Sequence, residues 1–317
     1  MEKKVAVVAI GGNSLIKDKE HQSVQDQYLA AKETASHIVD MIEAGWDVVV
    51  GHGNGPQVGF ILQKAEVAEK EVGLTMIPLD VCGAQSQGQI GYQLAQNLQN
   101  ELKKRGIKKS VACVLEQTIV DNNDPAFKKP TKPIGGFMSE EEAKSKAASE
   151  GWTVIEDSGR GWRRVVASPL PQEIVELDAI KALIDAGIVT ISIGGGGIPV
   201  IRNESGELEG VAAVIDKDFG NSLLARNINA DLLLISTAVE QVAINFGTPE
   251  QQWLDKMTLA EAKAYMEEGK HFKGGSMAPK IQACIWFLEA GGKQALITNP
   301  ENISRALRGE TGTMITA

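Results

Sequence analysis

Three apolar runs in this chain each stop at a cluster of glycines, and that recurrence narrows the fold more than any other feature. Residues 5–10 read VAVVAI and end at Gly11-Gly12. Residues 47–50 read DVVV and end at Gly51-His52-Gly53-Asn54-Gly55-Pro56. Residues 189–193 read VTISI and end at Gly194-Gly195-Gly196-Gly197. The first run is apolar without alternation, which belongs to a strand covered on both faces. Between the first two runs, Ala30, Ile38, Met41 and Ile42 recur at helical spacing within 23–43. Pro56 suits the first turn of a helix. Strand, helix, strand, glycine turn and helix in succession predict an α/β fold with a parallel sheet.

The same rhythm continues, with one interruption. Residues 82–104 read as a helix and 110–115 as a strand. Between 121 and 169 the texture changes: Pro125, Pro130 and Pro133 precede a charged helix at 140–150 and a basic strand, Trp162-Arg163-Arg164-Val165-Val166. This stretch lacks buried-strand character and reads as a lobe inserted into the domain. Beyond it the pattern predicts helices at 174–186, 217–228, 259–269 and 277–290. Strands are expected at 189–193, 231–235 and, last, 295–298, with a hairpin turn at Asn203-Glu204-Ser205-Gly206. At 317 residues the chain suits one large domain, 1–317, carrying that lobe.

Composition removes several function classes. With 33 glycines and only 5% aromatic residues, the chain leans towards tight strand-to-helix turns. A formal net charge of -9 disfavours nucleic acid and anionic lipid as partners, and no basic arm offsets it. Cys82, Cys113 and Cys284 lie far apart, as do His21, His37, His52 and His271, so neither a disulfide framework nor a metal site is expected. No stretch is long enough to cross a bilayer, and a cytoplasmic location is expected by default.

Glycine at a strand's carboxyl end lets backbone N–H groups approach phosphate oxygens, and a following helix adds its positive end. Three such turns predict an anion site. The Walker A sequence is absent, and Pro56 breaks the dinucleotide fingerprint. Asp218-Phe219-Gly220 resembles the protein-kinase triplet by chance, because its partner motifs are missing. A phosphoryl site needs cations, and three lysines stand out by context. Lys132 lies between Pro130 and Pro133, Lys217 between Asp216 and Asp218, and Lys280 near a helix start. From local sequence alone, each could equally be a solvated surface charge.

Further blocks run in order along the whole chain: Ala9-Ile10-Gly11-Gly12-Asn13, Gly53-Asn54-Gly55-Pro56-Gln57-Val58-Gly59, Gln85-Ser86-Gln87-Gly88 with Ile90-Gly91-Tyr92, and Pro130-Thr131-Lys132-Pro133-Ile134-Gly135. They continue with Asp157 and Gly159-Arg160-Gly161-Trp162-Arg163, Gly194 to Pro199, Val214-Ile215-Asp216-Lys217-Asp218, Gly275-Ser276-Met277 with Pro279-Lys280, and Gly312-Thr313. In this order they resemble the carbamate kinase family.

The resemblance implies the amino acid kinase fold: a three-layer αβα sandwich with a central, mainly parallel sheet and a small protruding lobe. It implies a homodimer that moves a phosphoryl group reversibly between carbamoyl phosphate and Mg-ADP, in catabolic ATP formation from arginine or related compounds. By motif, Lys132, Lys217 and Lys280 would hold the moving phosphoryl group and Asp218 would orient the two lysines of the main domain. Gly11, Gly12, Asn13, Gly53, Asn54 and Gly55 would shape the carbamoyl phosphate end in the N-terminal half. The nucleotide side, roughly 190–317, would include Gly195, Gly196, Gly197, Ala243, Phe246 and Met277, together with Lys217 and Lys280. Many related kinases carry Lys-x-Gly-Gly at the end of the first strand; here Ala9 replaces the lysine, and Lys132 is the natural substitute. Two rivals remain: a kinase of this fold acting on another small acid, separable by a substrate panel, and a nucleotide-binding sensor without turnover.

Overall fold

The structure, a computed structural model, describes residues 4–12, 15–16, 20–157, 159, 161–272 and 276–317. The first apolar run is β1 (Lys4–Ile10), and the chain continues through α1 (Val24–Glu43), β2 (Trp46–His52), α2 (Gly55–Val72), α3 (Leu79–Lys104), β3 (Val111–Cys113) and β4 (Gln117–Val120). Then come α4 (Pro125–Lys128), β5 (Lys132–Met138), α5 (Glu140–Glu150), β6 (Thr153–Glu156), β7 (Trp162–Val166) and β8 (Pro171–Ile174). Next are α6 (Leu177–Asp185), β9 (Val189–Gly194), β10 (Ile198–Arg202), β11 (Leu208–Gly210), α7 (Lys217–Asn227), β12 (Leu232–Ser236), β13 (Val242–Ile244) and β14 (Gln252–Leu254). The chain closes with β15 (Lys256–Thr258), α8 (Leu259–Glu268), α9 (Met277–Glu289), β16 (Gln294–Thr298), α10 (Ile303–Leu307) and β17 (Thr313–Thr316).

The main sheet has the order β15-β17-β16-β12-β1-β2-β9-β3 and is parallel except where β17 meets β16. Its central strands alternate between two cores, which is why their sequences are apolar throughout. Val7 and Ala9 of β1 face one core, with Leu233 and Ile235 of β12. Ala6, Val8 and Ile10 face the other, with Leu232 and Leu234. Helices α7 and α9 cover the first face, α1 and α3 the second. The observed layering is therefore the αβα sandwich expected. Ser23 starts α1 with a capping box, its hydroxyl accepting from the Asp26 N–H at 3.2 Å.

A second sheet, β11-β10-β4-β8, stands beside the main one. Between β4 and β8, strands β5, β7 and β6 form an antiparallel sheet of their own, next to α5. It sits against α2, where a methyl group on Gly59 would lie 3.2 Å from the Gly135 Cα. A side chain there would push the two backbones apart by a few tenths of an ångström. Val58 and Leu62 of α2, Ile134 of β5 and Val166 of β7 share the small apolar cluster at this seam.

Three predicted boundaries move. The helix expected from 174 begins at Leu177, because Ile174 pairs with Thr118 in β8 and is buried there. Glu176, just before the helix, turns its carboxylate back to accept from the Gln117 N–H at 2.7 Å. The strand expected at 110–115 is confined to Val111–Cys113. The strand expected last, at 295–298, is not the last: β17 lies between β16, to which it is antiparallel, and β15, to which it is parallel, with Thr313 and Ile315 buried. Four residues with threonine at each end carry too little apolar pattern to be read as a strand.

Candidate active site

The carboxyl ends of β1, β2 and β9 interlock. The Gly53 N–H donates to the Ile10 carbonyl at 2.9 Å, and the Gly195 N–H to the His52 carbonyl at 2.7 Å. Gly195 has φ +67°, and a methyl group there would overlap the Asn54 side chain at 2.1 Å, so only glycine fits. Asn54 is held in turn by its amide, which donates to the Ser86 hydroxyl of α3 at 2.8 Å. His52 lies fully buried behind this turn, and burial lowers its imidazole to about 4, against a smaller opposing effect of its bond to the Gly53 carbonyl. It stays neutral at physiological pH.

Over these strand ends opens a cavity of about 280 Å³. Gly12, Gly53, Gly55 and Gly195 line its strand side. Lys132 of β5, Lys217 of α7 and Lys280 of α9 line it from three different elements. The two helices are tied together: the Ser222 hydroxyl donates to the Ala283 carbonyl at 2.8 Å, and the Phe219 and Trp286 rings lie 4.7 Å apart.

Asp218 is buried at 2% exposure and has a lysine on each oxygen. Lys217 Nζ donates to Oδ1, and Lys280 Nζ to Oδ2 at 3.1 Å. Burial alone would raise this carboxyl, but Lys217 and then Lys280 outweigh it and hold it below its ordinary value. The carboxylate thus fixes two ammonium groups side by side, each with donors left for a ligand.

Asp216 plays a part the sequence reading did not assign. Its Oδ1 accepts from the Asp218 N–H at 2.9 Å and caps α7. Its Oδ2 accepts from Lys132 Nζ at 2.8 Å, so the same residue meets the lysine from the separate small sheet. The flanking acids around Lys217 were the only signal available.

Two helices start at this cavity without a side-chain cap. Asn54 precedes α2 and Ser276 precedes α9, and neither accepts a capping bond. Their first-turn N–H groups lack the usual partners, and the helix dipoles favour negative charge there. Three lysines and two uncapped helix starts, set against two carboxylates, suit an anion with several oxygens.

A second, mainly apolar pocket of about 110 Å³ is lined by Ala243, Phe246, Trp253, His271 and Met277, and Ser276 borders both cavities. The structure therefore brings Gly12, Gly53, Asn54, Gly55, Gly195 and the four charged candidates around one space. Ala243, Phe246 and Met277 lie around the neighbouring one. Gly11, Gly196 and Gly197 stand behind the walls, packed towards Ser236, Ile215 and Thr118. Asn13 lies outside the described residues, as do Arg160 and Gly275 of the quoted motifs. Among the described residues, no group of three or more His, Cys, Asp or Glu side chains could hold a metal ion. No described helix is long and apolar enough to cross a membrane.

A family model described as the amino acid kinase family matches residues 4–299. The chain is 53% identical to the carbamate kinase-like protein YahI of Escherichia coli (strain K12), over 99% of both chains. It is 49% identical to a carbamate kinase of Thermococcus kodakarensis, covering 98% of this chain and 99% of the relative. Among solved structures, carbamate kinase from Giardia lamblia bound to AMP-PNP superposes with a TM-score of 0.92 at 43% identity, over 99% of this chain and 98% of that one. The chain belongs to the amino acid kinase family and, within it, to the carbamate kinases.

Proposed function

We propose that this chain transfers a phosphoryl group reversibly between carbamoyl phosphate and Mg-ADP, giving ATP and carbamate, which breaks down to ammonia and CO2. The observation that carries the reading is Asp218, buried between Lys217 and Lys280 at the wall of a cavity that Lys132 also lines. Charge on a moving phosphoryl group spreads over its outer oxygens, and positioned cations stabilise it most where water is excluded.

In this reading the bond from phosphorus to the carbamoyl oxygen breaks while a terminal ADP phosphate oxygen bonds to phosphorus. Carbamate leaves as an anion, so no proton moves and no general base is needed. Catalysis is positioning plus charge stabilisation. Lys132, Lys217 and Lys280 hold the moving group, and Asp218 aligns the last two. Gly11, Gly12, Asn13, Gly53, Asn54 and Gly55 shape the carbamoyl phosphate end. The nucleotide runs past Gly195, Gly196 and Gly197, with Ala243, Phe246 and Met277 around its base and Lys217 and Lys280 near its phosphates. Magnesium enters on the nucleotide, as part of the substrate. Residues 121–169 act as the inserted lobe that delivers Lys132. In this reading the chain works as a homodimer in the cytoplasm, in catabolic ATP formation from arginine or related compounds.

The test is ATP formation from carbamoyl phosphate and Mg-ADP in a coupled assay, with Lys217→Ala as control. Turnover by wild type that the variant loses supports the reading. A folded, ADP-binding wild type without turnover sinks it, and a panel of other small acids follows.

A further inference from the structure

Behind the Gly194–Gly197 turn, away from the cavity, a carboxyl group is sealed in the protein. Glu116 lies just before β4 and is fully buried. Its backbone is locked in place: the N–H donates to Gln87 Oε1 at 2.9 Å, and the carbonyl accepts from Gln87 Nε2 at 3.1 Å and from the Ile198 N–H at 3.0 Å. Gln87 Nε2 also donates to the Gly194 carbonyl at 3.0 Å. The carboxyl itself meets Thr118 through Oε1, while Oε2 is buried with no hydrogen-bond partner. Thr118 Oγ1 is also 3.2 Å from the Gly196 carbonyl.

This chain of three oxygens needs two protons. The Gly196 carbonyl and an ionised Glu116 can only accept, and Thr118 has one proton to give, so an ionised Glu116 leaves one of the two contacts without a hydrogen bond. Both contacts are hydrogen bonds at once only when Glu116 carries a proton and donates it to Thr118, which then donates to Gly196. An ionised Glu116 would leave Oε2 a buried, unpaired anion as well. Among the described residues no cation bears on it: the charge it meets is the Glu176 carboxylate just before α6, and His52 beside Gly194 is neutral.

We propose that Glu116 is a positioning residue, a neutral carboxylic acid that braces the glycine turn through Thr118 and so fixes the floor of the phosphate cavity. The brace runs from Glu116 to Thr118 to the Gly196 carbonyl, one residue from Gly195 at the cavity surface. It rests on the reading of that cavity as the phosphoryl-transfer site. Burial, the largest influence, pushes the Glu116 acid up to about 8. A Thr118 hydroxyl turned to the ionised carboxylate opposes this, and Glu176 adds to it by less.

The brace should therefore fail within an accessible pH range. The protonated fraction of a group titrating at about 8 falls about tenfold between about pH 7 and about pH 9. Wild-type kcat/KM for carbamoyl phosphate is expected to fall by about that factor. Glu116→Gln keeps a donor to Thr118 and cannot ionise, so its kcat/KM should stay within about twofold over the same range. Thr118→Val breaks the relay and should be impaired at every pH. Folding supplies a second readout that needs no turnover. The folded acid titrates above the unfolded one, so its stabilisation is complete below about 4.5 and is lost as pH rises to about 8. Wild-type Tm should fall over that interval more than that of Glu116→Gln. A carboxylic acid carbonyl band in the infrared spectrum, present at neutral pH and missing in Glu116→Gln, reports the protonated state directly. Parallel pH profiles and equal Tm trends in the two proteins, or the absence of that band, would overturn the proposal. If wild type lacked turnover on carbamoyl phosphate, the functional reading would fail alone, and the Tm and infrared measurements would still decide Glu116.

Discussion

Asp218 holds two lysines on its two oxygens, and each lysine has a different exposure to loss. Lys217 opens α7 and is bonded by its immediate neighbour, whereas Lys280 reaches across from α9. Lys217→Ala would leave Asp218 with one lysine partner and remove one cation from the proposed phosphoryl site. Its kcat should fall by about 10²–10³-fold with a smaller change in nucleotide KM, the signature of a contact made in the transition state. Steady-state kinetics at saturating Mg-ADP check it; a rise in KM alone would make Lys217 a binding group. The lysines were legible in the sequence because local context marked them, with prolines around Lys132 and acids around Lys217. Asp216 and Glu116 were not. The role of Asp216 depends on Lys132, 84 residues away, and that of Glu116 on the glycine turn behind which it folds. Side chains whose partners are remote leave no local pattern.

At the scale of elements, the start of α7 joins the main domain to the small sheet. Asp216 caps the helix with one oxygen and holds Lys132 with the other. The two duties separate by substitution. Asp216→Asn keeps a good N-cap and should leave stability close to wild type, whereas Asp216→Ala should cost about 1 kcal/mol in denaturant unfolding. The ion pair adds little to that, because Lys132 is 40% exposed and solvent screens it. A cost shared equally by both variants would assign the stabilisation to the pair instead. Lys132→Ala tests the other end: turnover should fall by about 10²-fold if β5 delivers a catalytic cation. Unchanged turnover would reduce residues 121–169 to a structural appendage. The buried strands were readable because both faces are covered and their sequences are apolar throughout. The start of α6 was not, since a buried Ile174 satisfies either a helix or the edge-sheet pairing it actually makes.

Across the whole molecule, chemistry and scaffold occupy opposite ends of one sheet. Strand carboxyl ends carry the glycine turns, over which the lysines of β5, α7 and α9 gather, while helices α1 and α3 finish at the other end, just before β2 and β3 begin. There Arg105 gathers the termini. Its guanidinium donates to Asp40 Oδ1 at 2.5 Å, Glu43 Oε2 at 2.6 Å, Glu101 Oε1 at 2.8 Å and the Ser36 carbonyl at 3.1 Å. Arg105 is 18% exposed and Glu101 10%, so part of this network is shielded, whereas Glu43 at 47% is screened. Arg105→Met keeps the apolar stem and removes the charge. It should lower stability by about 2 kcal/mol, the scale of hydrogen bonds to a charged group, and the loss should shrink in high salt. The substitution lies far from the cavity, so kcat and both KM values should stay within about twofold of wild type, as expected for independent sites. Paired denaturant curves and kinetics decide it. A variant with wild-type stability but impaired turnover would show that the α1–α3 end governs the site at the opposite end of the sheet, and the division between scaffold and chemistry would have to be withdrawn.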